Sequence, residues 1–106
     1  MNMLLAAVLL AAAVGSPAPG AAAATVHLKD DAFEPAVVTI HPGERVAFVN
    51  DDDDAHTATA DDNSWDSEGL NRAERWVHVF TKAGTYTYHC TVHPFMKGTI
   101  VVQAAR

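Results

Sequence analysis

Tyr88-His89-Cys90-Thr91-Val92-His93-Pro94-Phe95-Met96 is the stretch on which the reading of this chain turns. Cys90 is the single cysteine; a histidine follows it by three positions and a methionine by six. Thiolate, imidazole and thioether form a soft donor set, which suits copper better than any hard cation. The loop still lacks a fourth donor, and His56 is the best candidate to supply it. Two histidines, one cysteine and a weakly bound axial methionine make up a blue-copper ligand set.

Outward from this loop the pattern is all-β. Strands are expected at Thr25–Leu28, Ala36–Ile40, Arg45–Asn50, His56–Ala60, Arg75–Thr81, Thr85–Cys90 and Gly98–Gln103, where β-branched and aromatic residues gather between turn signals. Phe33 and Pro35 lead into the second of these. His41-Pro42-Gly43-Glu44 and Lys82-Ala83-Gly84 read as turns, and Asp51–Asp54 as an acidic loop. Asp61–Glu74 has little periodicity and is expected to be a loop, with a helical turn near Glu68–Asn71. Short strands at regular spacing argue for a β-sandwich.

Direction selects His56. One strand runs from the turn at His41–Glu44 to Asn50, another from the turn at Lys82–Gly84 to Cys90. If both turns share one end of the sandwich, Asn50 and Cys90 share the other, about 17–20 Å away. His56 then meets the Cys90 loop, and His41 is stranded at the far end.

Cys90-x-x-His93-x-x-Met96, after Gly84-Thr85-Tyr86-Thr87-Tyr88 and before Lys97-Gly98-Thr99-Ile100-Val101-Val102, resembles the cupredoxin family. Within it the chain is most similar to the amicyanin, pseudoazurin and plastocyanin group, from about Val26 to Val102. The resemblance implies a cupredoxin-like Greek-key β-sandwich that carries single electrons through one copper ion, cycling between Cu(II) and Cu(I). It implies metal ligation by His56, Cys90, His93 and Met96, with Cys90 as thiolate and Met96 axial. A core methionine under the loop is the alternative for Met96. It also implies that the His93 ring edge, ringed by Pro94 and Phe95, is the electron port. Val92 stands where related loops can carry proline, so its N–H remains available near the sulfur, and a donor to a thiolate favours Cu(I). Thr57 stands where much of the family has asparagine tying the two ligand loops together; either its hydroxyl or Asn50 is expected to take that role.

The other histidines are read as non-ligands. His89 precedes Cys90 in a strand, so it points to the opposite face. His78 lies among Trp76, Val77, Val79 and Phe80, with its inward face undecided, and His27 has no partner in sequence.

The chain has 106 residues, which is the length of one domain. Met3–Val14 is an unbroken apolar run, followed by Gly15, Ser16, Pro17 and Pro19, then Ala21–Ala24. That layout is expected for a signal peptide over residues 1–24, cleaved after Ala23 or Ala24, with the copper-binding domain over 25–106. An uncleaved anchor is the alternative, though the run falls short of the roughly 20 residues of a bilayer span. Export to the periplasm or outside the cell follows from the signal. A lone cysteine in an exported domain forms no internal disulfide, and metal ligation explains it.

The formal net charge of −6 argues against nucleic-acid binding, which needs a basic face. It suits a basic redox partner, such as a c-type cytochrome or an exported oxidoreductase, met by a monomer. Asp51–Asp54 is expected either to steer that partner or to be a solvated loop; it lacks the spaced ligands and glycine of an EF-hand. A copper chaperone or storage protein is the competing function, since it would use the same donors. A thiol enzyme would need an orienting residue that is not evident. A structural zinc site would need more thiolates or histidines.

Overall fold

A computed structural model describes residues 21–104 of the chain. Eight strands form two four-stranded sheets, and no helix occurs among the described residues. The first sheet contains β1 (Ala24–Lys29), β2 (Ala32–Glu34), β4 (Glu44–Asn50) and β6 (Arg75–Phe80), in the order β2-β1-β4-β6. The second contains β3 (Val37–Ile40), β5 (Thr59–Ala60), β7 (Gly84–His89) and β8 (Lys97–Val102), in the order β3-β8-β7-β5. β1 runs parallel to β4 and β3 parallel to β8; the other neighbours are antiparallel. The expected all-β sandwich is therefore observed. Residues 1–20, where most of the expected signal peptide falls, lie outside the described residues.

Period-2 alternation builds the core. Val26 and Leu28 of β1, Val38 and Ile40 of β3, and Ile100 and Val102 of β8 face inward. Tyr88 fills the centre, edge-on to Phe33 at 4.6 Å and to Phe48 at 5.5 Å between ring centroids. Its ring lies directly over Gly98 of the neighbouring strand: a β-carbon there would stand 2.4 Å from the ring. On β6 the alternation settles the open question about His78. Val77 and Val79 face out, while Trp76, His78 and Phe80 face in. The His78 ring stacks on Trp65 at 5.3 Å and on Trp76 at 5.2 Å.

Three local expectations are corrected. Ala32–Glu34 forms a strand, β2, although only three residues long, because it pairs antiparallel with β1. The strand expected over His56–Ala60 shrinks to Thr59–Ala60. The helical turn expected near Glu68–Asn71 is absent. Glu68 and Ala73 have φ of +61° and +71°, which a right-handed helix does not allow. Residues 65–70 instead lie alongside 56–60, with bridges His56 to Leu70 and Thr59 to Asp66. Trp65 and Leu70 anchor this strap in the core.

The ends of the sandwich are arranged as the strand directions require. The Gly43 N–H donates to the Phe80 carbonyl at 2.7 Å, so the turns preceding β4 and β7 share one end. Asn50, His56 and Cys90 gather at the other.

Two consequences are measurable. Gly98→Ala drives a methyl group into a buried ring, an overpacking that costs about 1–3 kcal/mol. Thermal denaturation should show Tm falling by about 4–8 °C for each kcal/mol lost; an unchanged Tm would mean the ring moves freely. Burial holds the His78 pKa below the ordinary 6.5, so the unfolded chain takes up this proton more readily than the folded one. His78 therefore contributes its full stability above about pH 6.5 and loses it as pH falls below that value. His78→Phe keeps an aromatic stack and should flatten this part of the acid-side decline in urea-unfolding free energy.

Candidate metal centre

Four side chains were expected to form the site, and the fold places them at one end. Cys90 follows the last residue of β7 and is 0% exposed; His56 follows the acidic loop and is also 0% exposed. His93 is half-buried in the turn after Cys90, and Met96 is buried immediately before β8. The loop closes on itself: the Cys90 N–H donates to the Met96 carbonyl at 3.2 Å, and the Met96 N–H to the His93 carbonyl at 2.9 Å.

The donor atoms converge. One atom each from His56, Cys90 and His93 lies within 4.8 Å of the other two. His56 Nδ1 is 3.7 Å from Cys90 Sγ and 3.2 Å from His93 Nδ1. A metal about 2.0–2.1 Å from nitrogen and about 2.3 Å from sulfur would set N–N at about 3.1–3.6 Å and N–S at about 3.3–3.8 Å for angles of about 100–120°. The observed spacings match that requirement, and the mixed imidazole–thiolate set is of the kind copper accepts.

The sulfur is prepared to be an anion. Burial pushes the Cys90 thiol up, but backbone N–H groups of Thr57, His93 and Val92 and the His56 imidazole outweigh it and lower it to about 7. The Thr57 N–H donates to Sγ at 3.3 Å. The Val92 N–H, which a proline would remove, is among the groups that lower the thiol.

Thr57, rather than Asn50, ties the two ligand loops. Its Oγ1 accepts the Thr91 N–H at 2.9 Å and also meets the hydroxyls of Thr59 at 2.9 Å and Thr91 at 3.3 Å. Asn50 organises the acidic loop instead. Its Nδ2 donates to the carbonyls of Asp54 at 2.9 Å and Leu70 at 2.8 Å, and its Oδ1 accepts the Asp52 N–H at 2.9 Å.

Sequence reasoning missed the carboxylates behind His56. Its Nε2 lies 2.9 Å from Asp52 Oδ2 and 3.3 Å from Asp31 Oδ1. Burial lowers the His56 pKa, but hydrogen bonds to Asp52 and Cys90 outweigh this and raise it. Burial likewise raises the Asp52 pKa, but the N–H groups of Asp30 and Asp31 and the His56 ring bring it down. The spacing of four residues between Asp52 and His56 was the available signal, hidden within a run of four aspartates. Two others of that run are also engaged: Asp51 meets His27 at 2.7 Å, and Asp53 pairs with Arg72. His27, without a partner in sequence, thus acquires one in space.

The remaining histidines stay out of the site, as expected. His89 points away from Cys90 and bonds Asp61 at 2.6 Å. His41 lies 3.6 Å from Glu44 at the opposite end.

A family model described as a cupredoxin-like domain matches residues 2–102. The chain belongs to the cupredoxin-like family. Amicyanin from Paracoccus versutus is 32% identical over 71 residues, which is 62% of this chain and 54% of that protein. The chain thus spans about half the length of that relative. A solved Cu(I) form of an amicyanin variant superposes with a TM-score of 0.71 at 27% identity, covering 76% of this chain and 82% of that one. Plastocyanin from Scenedesmus fuscus is 38% identical over 84 residues, 67% of this chain and 86% of the relative. A Cu-containing nitrite reductase from Thermus scotoductus superposes with a TM-score of 0.75 at 32% identity, but over 25% of its own chain. The chain therefore matches the amicyanin structure over most of its length and the nitrite reductase over a quarter of its own.

Proposed function

We propose that this chain is an exported one-electron carrier whose single copper ion is held by His56, Cys90, His93 and Met96. The observation that carries the reading is the convergence of Cys90 Sγ with the Nδ1 atoms of His56 and His93 at one end of the sandwich, where His56 and Cys90 are buried. Bound copper supplies a one-electron couple between its +2 and +1 states.

The residues around it perform the rest. Cys90 offers a thiolate near neutral pH, and with it His56 and His93 would hold the ion. Met96, buried directly before β8, would add a weak thioether donor. Loop closure through Met96 and the Thr57 tie restrict rearrangement between oxidation states, as a site on stiff elements should. The N–H groups of Thr57 and Val92 draw charge from the sulfur and so raise the potential.

An enzymatic role has less support. The three cavities described on the surface are lined by residues other than the four donors. His93 is half-buried beside Val92, 57% exposed, and Phe95, 68% exposed, which suits transient docking of a redox partner. The net charge of −6 favours a basic one, such as a c-type cytochrome or an exported oxidoreductase, met by a monomer. Export rests on the apolar run and small residues of 1–24.

The visible spectrum of the oxidised, copper-loaded protein tests the assignment. An intense band towards the red is expected, and Cys90→Ser should abolish it. A protein that holds only Cu(I) and never colours would instead be a chaperone or store. Val92→Pro removes one N–H from the sulfur, so voltammetry should show a lower potential than the wild type; a level or raised potential would refute the role of that donor.

A further inference from the structure

The acidic loop contributes more than charge. Asp52 is half-buried, with its side chain 18% exposed, and both its carboxylate oxygens and its N–H are used. Its Oδ1 accepts the Asp30 N–H at 2.9 Å and its Oδ2 the Asp31 N–H at 3.1 Å. Asp30 and Asp31 have φ of +54° and +56°, so the β1–β2 turn presents two successive N–H groups to one carboxylate. The Asp52 N–H is itself held by Asn50 Oδ1. What remains of the carboxylate faces His56 Nε2 at 2.9 Å.

A neutral imidazole carries one proton, and the partner of one ring nitrogen decides where it sits. A carboxylate accepts and cannot donate, so the Nε2 side of His56 must donate. That leaves the Nδ1 lone pair free, and Nδ1 is the atom that faces Cys90 Sγ and His93 Nδ1. The His56 backbone is fixed independently, since its N–H and carbonyl both pair with Leu70, at 3.1 and 2.8 Å. Ring and backbone are thus held from opposite sides. Asp31 Oδ1, 3.3 Å from the same Nε2, adds a second negative charge behind the ring.

We propose that Asp52 is the positioning residue of this metal centre: anchored by the β1–β2 turn, it fixes His56 as an Nε2–H donor with Nδ1 presented to the metal, and its charge lowers the reduction potential. The inference rests on the copper reading above. An anionic partner makes the imidazole a stronger donor, which favours Cu(II) over Cu(I). Asn keeps an acceptor oxygen but not the charge, while Ala keeps neither, so the two variants separate geometry from charge.

The tautomer is tested on the metal-free wild-type chain by long-range ¹H–¹⁵N NMR of the imidazoles, at a pH where the His56 ring is neutral. The proton is expected on Nε2, and Asp52→Ala should give a mixture. The charge is tested on the copper-loaded protein by voltammetry. Asp52→Asn should lose about tenfold in relative preference for Cu(II), a rise of about 59 mV for a one-electron couple, with the tautomer kept. Asp53→Asn, which removes a charge of the same loop that pairs with Arg72 and not with His56, should shift the potential less. A wild-type proton on Nδ1, or equal potentials for the two asparagine variants, would overturn the proposal. Absence of a blue band in the wild type would refute the copper reading instead, and the NMR result would still stand on its own.

Discussion

Thr57 is the joint at which the two halves of the site are fastened. Its N–H reaches the Cys90 sulfur and its hydroxyl accepts the N–H of Thr91, so one residue grips the other ligand loop twice. These contacts join positions more than thirty residues apart in sequence. They exist only because the strands leading to them stop at the same end of the sandwich. That coincidence depends in turn on the core: Tyr88 wedged against Gly98 sets how closely β7 and β8 approach, and hence where Cys90 emerges. A hydrogen bond to a buried anion is also costly to lose, because the charge would remain without solvent or partner.

The acidic loop would repel itself if its four carboxylates stood alone. The structure distributes them. Asp51 faces His27, Asp53 faces Arg72, and Asp52 turns inward to the β1–β2 turn and His56. Asn50 makes this possible by bonding across the base of the loop. Most of the run is therefore structural, and this weighs against reading all four as a steering patch. Asp54, which with Asp31 lies close to His93, is the member of the run best placed for that role.

Much of the site was legible in the chain because it is local. Spacing within one loop brings Cys90, His93 and Met96 together, and strand alternation sends His89 the other way. His56 followed from strand direction, which needs two turns and a count of residues. What escaped notice depends on contacts between distant segments. β2 is three residues long, too short for periodicity, and exists by pairing with β1. The strap over 65–70 has no alternation because it is held by Trp65, Leu70 and scattered bridges rather than by a ladder. Asp31 and Asp52 look like ordinary loop acids until the β1–β2 turn, which carries Asp31, folds against the acidic loop. The choice between Thr57 and Asn50 could be made only once both were placed, since either side chain has the chemistry for a tie.

The two imidazoles of the proposed site are not equivalent, and their difference bears on how an electron would pass. His56 is fully buried, clamped through its backbone by Leu70 and through its ring by Asp52. His93 is half-buried, with exposed Val92, Pro94 and Phe95 around it and its ring edge-on to Phe95 at 5.9 Å. A ligand locked on every side can hold geometry but offers no route outward. A ligand with an open edge offers the route but less constraint. If both hold the proposed metal, one of each separates the two demands. The rigid histidine sits on the sandwich side, where the carboxylates and the core restrain it. The accessible one sits on the loop, where its exposed neighbours leave the ring edge open to approach. In this arrangement substitutions behind His56 would alter the potential, while substitutions around His93 would alter the rate of exchange with a partner.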